Sequence, residues 1–289
     1  MHDLDAALPP PDIIARIDAG ARRIATPCGG GQMVWRLWGE GPPLVLLHGN
    51  FGSWMHWIRN VGPMSRRFTV LVPDTPGFGE SAMPPDPSTP RAIAEVVARG
   101  LSEIVPDGDV FLAGFSYGGR LASETALLLE DRVRALVVVA PGGLGIADAR
   151  GGALAKLRPR MTTAEIASVH RQNLAQLMIA DPAAADDLAV HIQALNTQRA
   201  RFRLSAWTEE DRMSSTAKAL AQVRVPVKGI WSGRDAFAGD TVPDRIAILR
   251  DLHPDADIRT IPGAGHWMQY EAAERFNEVL ATMVGYPPP

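Results

Sequence analysis

The pentapeptide Gly114-Phe115-Ser116-Tyr117-Gly118 has the form GxSxG, directly follows the apolar run Val110–Ala113 and precedes a helix-forming stretch from Arg120 to Leu129. A serine at a sharp strand-to-helix corner sits in a strained conformation that pushes its hydroxyl outward, and flanking glycines let strand and helix approach closely. A serine hydroxyl is a poor nucleophile at neutral pH. It needs a histidine to take its proton and an acid to orient that histidine. His266 fits the first need: it stands in the glycine-rich loop Pro262-Gly263-Ala264-Gly265-His266-Trp267, after the last apolar run and before a helix with Phe276, Val279, Leu280 and Met283 on one face. Asp235, which closes Trp231-Ser232-Gly233-Arg234-Asp235, fits the second, because it ends the strand before that of His266. Asp240 and Asp244 fall in or after the loop toward the next helix and read as solvated or capping residues.

Of the other histidines, His2 is terminal, His56, His170 and His191 fall in helical stretches, and His253 sits in a polar turn. His48 opens the loop His48-Gly49-Asn50-Phe51-Gly52 and reads as a loop-shaping hydrogen-bonding group. Acyl transfer also needs donors aimed at a developing oxyanion. One is expected from the backbone N–H of Tyr117, the residue after the nucleophile, and the other from the N–H of Asn50, with Phe51 as the alternative. Phe51, Phe115, Tyr117 and Trp267 are candidate apolar walls of a substrate pocket, a role that competes evenly with core packing. Asp74 is expected to brace the loop that follows it.

These residues must be positioned by a sheet. Six short runs rich in Val, Ile and Leu, at 43–47, 68–72, 110–113, 133–139, 227–231 and 258–261, alternate with helix-length stretches, the pattern of a mostly parallel sheet with helices on both faces. Arg22–Ala25 and Met33–Trp38 flank Cys28-Gly29-Gly30-Gly31 as an edge hairpin, which makes eight strands of an α/β fold. Between the fourth and fifth runs the chain reads as helical throughout, with Thr162 or Thr163 and Glu165 as an N-cap. The expected organisation is therefore a core of residues 1–141 and 216–289 with a helical cap inserted at 142–215. A lid over a pocket accounts for that insertion better than an extra helical layer.

The chain's 289 residues are 46% hydrophobic and 21% charged, which excludes a disordered protein. The net charge of -3 comes from scattered residues, so no polyanion-binding footprint exists and nucleic-acid binding is not expected. The single cysteine, Cys28, has no disulfide partner and no metal-binding spacing around it, and its glycine neighbours suggest a turn. The acidic, proline-containing stretch Met1–Gly20 has the wrong composition for a signal sequence, and no apolar stretch reaches membrane-spanning length. Cytoplasmic localisation without a membrane partner is the expectation. Gly142-Gly143-Leu144-Gly145 fails the GxGxxG spacing, and no P-loop or HExxH motif occurs, so no cofactor and no metal are expected. The expected partner is a small-molecule substrate, and the sequence leaves a homodimer open.

Taken together, HGN at 48–50, PGFGES at 76–81, GFSYGG at 114–119, SGRD at 232–235 and GHW at 265–267 resemble the α/β-hydrolase superfamily across nearly the whole chain. Trp54, Arg59-Asn60-Val61-Gly62-Pro63, Pro141–Gly145 and His266-Trp267 with Phe276-Asn277 are similar to the meta-cleavage-product hydrolases, serine enzymes that hydrolyse a carbon–carbon bond in vinylogous diketone acids. That resemblance implies polar groups for a dianionic substrate, but Phe115 stands where those enzymes carry an asparagine and His56 where they carry another. Their cap arginine falls near His191 or Ile192, with Arg199, Arg201 and Arg203 close enough to substitute. The HGN motif is also similar to haloalkane dehalogenases, whose nucleophile is an aspartate where this chain has Ser116. The expected activity is that of a serine hydrolase of small, rather apolar carbonyl compounds, foremost carboxylic esters. Carbon–carbon hydrolysis and a non-catalytic ligand-binding relative are the alternatives.

Overall fold

Short runs of branched apolar residues make central strands that are buried on both faces, and in the computed structural model these join two more exposed edge strands in one eight-stranded sheet. The structure describes residues 9–149 and 153–285. Met1–Leu8, part of the acidic segment that argues against a signal sequence, lies outside the described residues. The strands are β1 (Arg22–Cys28), β2 (Gly31–Trp38), β3 (Pro43–Leu47), β4 (Thr69–Pro73), β5 (Val110–Phe115), β6 (Val133–Val139), β7 (Val227–Ser232) and β8 (Asp257–Ile261). Their spatial order is β1-β2-β4-β3-β5-β6-β7-β8. β2 is antiparallel to both β1 and β4, and every other pair of neighbours is parallel. The eight strands and the mostly parallel sheet agree with the sequence reading.

Parallel strands carry their C-terminal ends to one edge, which is where α/β sheets place function. The loops after β3, β5, β6, β7 and β8 therefore share that edge, and they contain Asn50, Ser116, Ala140, Asp235 and His266. The strands that hold these loops are rigid because their side chains leave water: Leu44–Leu47 and Val137–Val139 are fully buried. Each such burial contributes about 1.5–3 kcal/mol before chain entropy is counted.

The core helices are α1 (Pro10–Ala19), α2 (Val61–Ser65), α3 (Pro90–Ile104), α4 (Tyr117–Leu128), α7 (Glu209–Leu220), α8 (Val242–Leu252), α9 (Met268–Glu271) and α10 (Ala273–Met283). Between β6 and α7 lie α5 (Thr163–Leu177) and α6 (Asp187–Arg199). Thr162 starts α5 with a capping box: its side chain accepts the Glu165 N–H while the Glu165 carboxylate accepts the Thr162 N–H. On α10, Phe276, Val279, Leu280 and Met283 are the buried face. Among the described residues no helix is long and apolar enough to cross a membrane.

Three sequence expectations are corrected. Cys28 is the last residue of β1, paired with Gly31 and 1% exposed, because Gly29-Gly30 alone makes the turn; burial raises its thiol pKa. The insertion is not helical throughout, since residues 142–149 and 153–162 contain no helix or strand, in keeping with Gly142, Gly143, Gly145 and Pro159. Finally, α7 runs unbroken across Ser215 and Thr216, where the cap was expected to end, and packs against α4 and α8. Thr208 caps it and three acidic residues fill its first turn, so its start near residue 209 is set locally.

Candidate active site

Ser116 sits between β5 and α4 with φ 53° and ψ -113°, its N–H donated to the Val139 carbonyl at 2.9 Å. Steric necessity explains its neighbours. A Cβ on Gly114 would stand 2.2 Å from the Gly118 carbonyl oxygen, and one on Gly118 would stand 2.2 Å from that of Leu47. Phe51 (φ 50°) and Ala140 (φ 41°) share the left-handed conformation, and all three residues line one cavity of about 710 Å³. Such conformations cost about 1–3 kcal/mol each and persist where the surroundings over-determine them, commonly at functional sites.

His266 and Asp235 line the same cavity and are joined by a hydrogen bond of 2.7 Å between Nδ1 and Oδ2. Both are nearly buried, at 5% and 4% exposure. The other carboxylate oxygen, Oδ1, accepts the N–H groups of Phe237 (2.9 Å) and Ala238 (3.2 Å). Burial pushes the Asp235 carboxyl up, but the His266 charge, its hydrogen bond and the two backbone donors together bring it below the usual aspartate range. An ionised acceptor at Nδ1 fixes the tautomer with a proton there and leaves Nε2 as the basic nitrogen. The rivals Asp240 and Asp244 are exposed.

Asn50 and Tyr117 also line the cavity, and neither backbone N–H donates to another group among the described residues. The Phe51 N–H, the alternative donor, is instead taken by the Asn50 side-chain oxygen at 3.0 Å. The loop carrying Asn50 is braced from below. His48 Nε2 accepts the Thr75 N–H at 2.9 Å, and Asp74 accepts the N–H groups of Trp54 (2.8 Å) and Glu80 (3.0 Å). The loop carrying His266 is tied to the insertion: the Glu271 carboxylate accepts the N–H groups of Gly265 (2.7 Å), Ala180 (3.0 Å) and Asp181 (2.8 Å).

Phe51, Phe115 and Tyr117 line the cavity, whereas Trp267 does not. Its ring is fully buried behind the site, stacked on Tyr270 at 4.3 Å, with its indole N–H donated to the His56 carbonyl at 2.9 Å. A buried indole takes the orientation that satisfies its N–H, and here that orientation points away from the cavity. Nor do Arg199, Arg201 and Arg203 line it. Arg201 binds the carbonyls of Gly79, Ser81 and Arg199, and Arg203 binds those of Ala200 and Phe202 beneath the Phe51 ring. Val169, Leu174 and Leu177 of α5 and its C-cap Met178 line the cavity instead. Among the described residues no cluster of His, Cys, Asp or Glu is placed to hold a metal ion.

A family model described as the alpha/beta hydrolase family matches residues 44–279. The chain belongs to the alpha/beta hydrolase family. This alpha/beta hydrolase is 26% identical over 259 residues to a 2-hydroxy-6-oxo-6-phenylhexa-2,4-dienoate hydrolase of Burkholderia cepacia, covering 83% of this chain and 87% of that protein. It is 30% identical over 263 residues to a dihydrolipoyllysine-residue acetyltransferase component of the acetoin cleaving system of Pseudomonas putida, covering 87% of this chain and 66% of that one. Among solved structures, the carboxylesterase CesB of Bacillus subtilis superposes with a TM-score of 0.73 at 19% identity, over 96% of this chain and 98% of that one.

Two residues of this hydrolase were not singled out as site residues by sequence reasoning. Arg120, one helical turn after Ser116, lines the cavity; the signal was a lone cation inside the otherwise small and apolar start of α4. His56 is buried against Phe115 (5.8 Å) and Trp267 (5.1 Å), and neither ring nitrogen has a hydrogen-bond partner among the described residues. Burial, with smaller contributions from the charges of His48 and His266, holds His56 neutral far below the ordinary histidine range. His48 is lowered too, by burial against the opposing Gly49 carbonyl and Asp74. Below pH 6.5 the unfolded chain therefore takes up protons that the folded one refuses, and stability is lost as pH falls. The expected slope reaches about 1.4 kcal/mol per pH unit for each such histidine. Thermal melts between about pH 5 and 8 check this; a melting temperature that stays level or rises on acidification would contradict the buried, neutral assignment.

Proposed function

We propose that this chain is a serine hydrolase acting by acyl transfer on a small carbonyl substrate with a largely apolar body, foremost a carboxylic ester. The observation that carries the reading is the convergence in one cavity of the strained, outward-facing Ser116 and the hydrogen-bonded His266–Asp235 pair. His266 Nε2 takes the hydroxyl proton as Ser116 Oγ bonds to the ester carbonyl carbon. The tetrahedral oxyanion is met by the N–H groups of Asn50 and Tyr117. Collapse expels the alkoxide, which leaves as the alcohol with the proton from His266. Water, deprotonated by the same histidine, then cleaves the acyl-Ser116 ester and releases the acid, returning the serine to its starting state. Asp235 keeps the imidazole oriented and stabilises its charged form throughout.

Carbon–carbon hydrolysis of a dienol or diketone acid is the second reading, favoured by the similarity to the Burkholderia cepacia protein across most of both chains. Both readings use the same three side chains and differ in what the cavity accepts. A paired assay separates them: release of nitrophenol from p-nitrophenyl acetate supports the ester reading, and bleaching of a meta-cleavage dienol without ester turnover supports the other. If folded protein takes up no label from a serine-directed phosphonate, a ligand-binding role replaces both.

A further inference from the structure

Arg120 is 6% exposed, forms no salt bridge with a carboxylate among the described residues, and lines the cavity that contains Ser116. Its Nη1 is fully occupied by protein: it donates to the carbonyls of Asp211 (3.1 Å) and Arg212 (2.6 Å) and to Ser215 Oγ (3.2 Å) on α7. Its Nε and Nη2 donate to nothing among the described residues, yet they are not sealed in the interior, as the Nε of Arg59 is. Those two nitrogens form the edge of a guanidinium that matches the two oxygens of a carboxylate. The chain also makes room for this group: a Cβ on Gly142 would meet Nη2 at 2.7 Å, and one on Gly143 would meet Nη1 at 2.5 Å.

The neighbouring charges offset the cation only in part: Asp148, which also lines the cavity, opposes the burial penalty on Arg120 without cancelling it. Arg245 also lines the cavity, but its Nη2 is held by Asp148 (3.0 Å) and the Ala147 carbonyl (3.1 Å), and its Nε by Thr241 Oγ1 (3.0 Å). Asp148 is half-exposed and is engaged by Arg245, and Asp235 is engaged by His266. Lys156 adds a further positive charge at the cavity wall. Burial lowers the Arg120 pKa to about 10, with Asp148 and Tyr117 opposing and Arg245 reinforcing. A group still charged at neutral pH despite that penalty gains most from an anion brought to it.

The geometry points to Arg120 as the anchor for a carboxylate carried by the substrate, held by Nε and Nη2 in the cavity where Ser116 attacks the carbonyl. This deepens the serine-hydrolase reading and rests on it for the reaction, although the anion subsite is testable by binding alone. A carboxylate at Arg120 and an ester carbonyl at Ser116 place two acyl groups on one molecule. The substrate class is accordingly the half-ester of a dicarboxylic acid, with the charged end at Arg120 and the ester at Ser116.

The test compares monomethyl succinate, glutarate, adipate and pimelate with the corresponding neutral ω-carbamoyl methyl esters, following methanol release by the parent protein. At least one half-ester is expected to exceed its amide counterpart in kcat/KM by about tenfold or more, with the ratio collapsing toward one in Arg120→Met and partly restored in Arg120→Lys. A ratio of one or less at every chain length, in parent protein that hydrolyses the amide esters, would overturn the subsite and leave the serine-hydrolase reading intact. Because Arg120 also holds α7, calorimetric titration of glutarate and adipate into folded parent and Arg120→Lys protein gives a readout independent of turnover. Binding by the parent that is weakened tenfold or more in the variant supports the subsite even if no ester is cleaved; no binding of either diacid by the parent refutes it.

Discussion

Ser116→Ala is expected to lower ester hydrolysis by roughly 10⁴-fold or more while leaving the fold intact. The loss is large because the hydroxyl supplies the bond-forming atom, and His266 and Asp235 have no acyl acceptor without it. Stability should change by less than about 1 kcal/mol, since the hydroxyl makes no hydrogen bond to another described residue and alanine meets the same strain at φ 53° that serine already bears. A melting curve paired with the rate measurement therefore separates chemistry from folding. Retention of the parent rate by folded Ser116→Ala protein would remove the serine from the mechanism.

Asp235→Asn should cost roughly 10³–10⁴-fold in kcat. The amide oxygen can still accept the N–H groups of Phe237 and Ala238, so the loop after β7 keeps its shape. The amide nitrogen then faces His266 Nδ1 as a donor, which drives the imidazole proton to Nε2 and removes the lone pair that would take the serine proton. The effect belongs in kcat, with substrate binding little altered. Equal rates in the variant and the parent would show that the pair, despite its 2.7 Å contact, does not serve the reaction.

The placement of residues with local signatures was legible in the sequence, and that of residues defined by distant partners was not. Ser116 announces itself through Gly114 and Gly118, whose missing side chains are required within a few residues by the close approach of β5 and α4. His266 and Asp235 follow from strand order, because parallel strands deliver their ends to one edge. Trp267 was misplaced because its orientation is decided by a carbonyl more than two hundred positions away, at His56. Arg199, Arg201 and Arg203 looked free only because the backbone carbonyls that occupy Arg201 and Arg203, among them Gly79 and Ser81, are invisible in a list of side chains. Arg120 escaped notice for the opposite reason: a long cation on a helix ordinarily reaches water, and only the packing of α7 and the 142–143 glycines keeps this one inside.

The central claim, an activated serine at residue 116, is most directly tested by intact-mass measurement after incubation with a fluorophosphonate. One adduct per chain is expected on the parent protein and none on Ser116→Ala. Folded parent protein that takes up no label, or a variant that labels as fully as the parent, would contradict it.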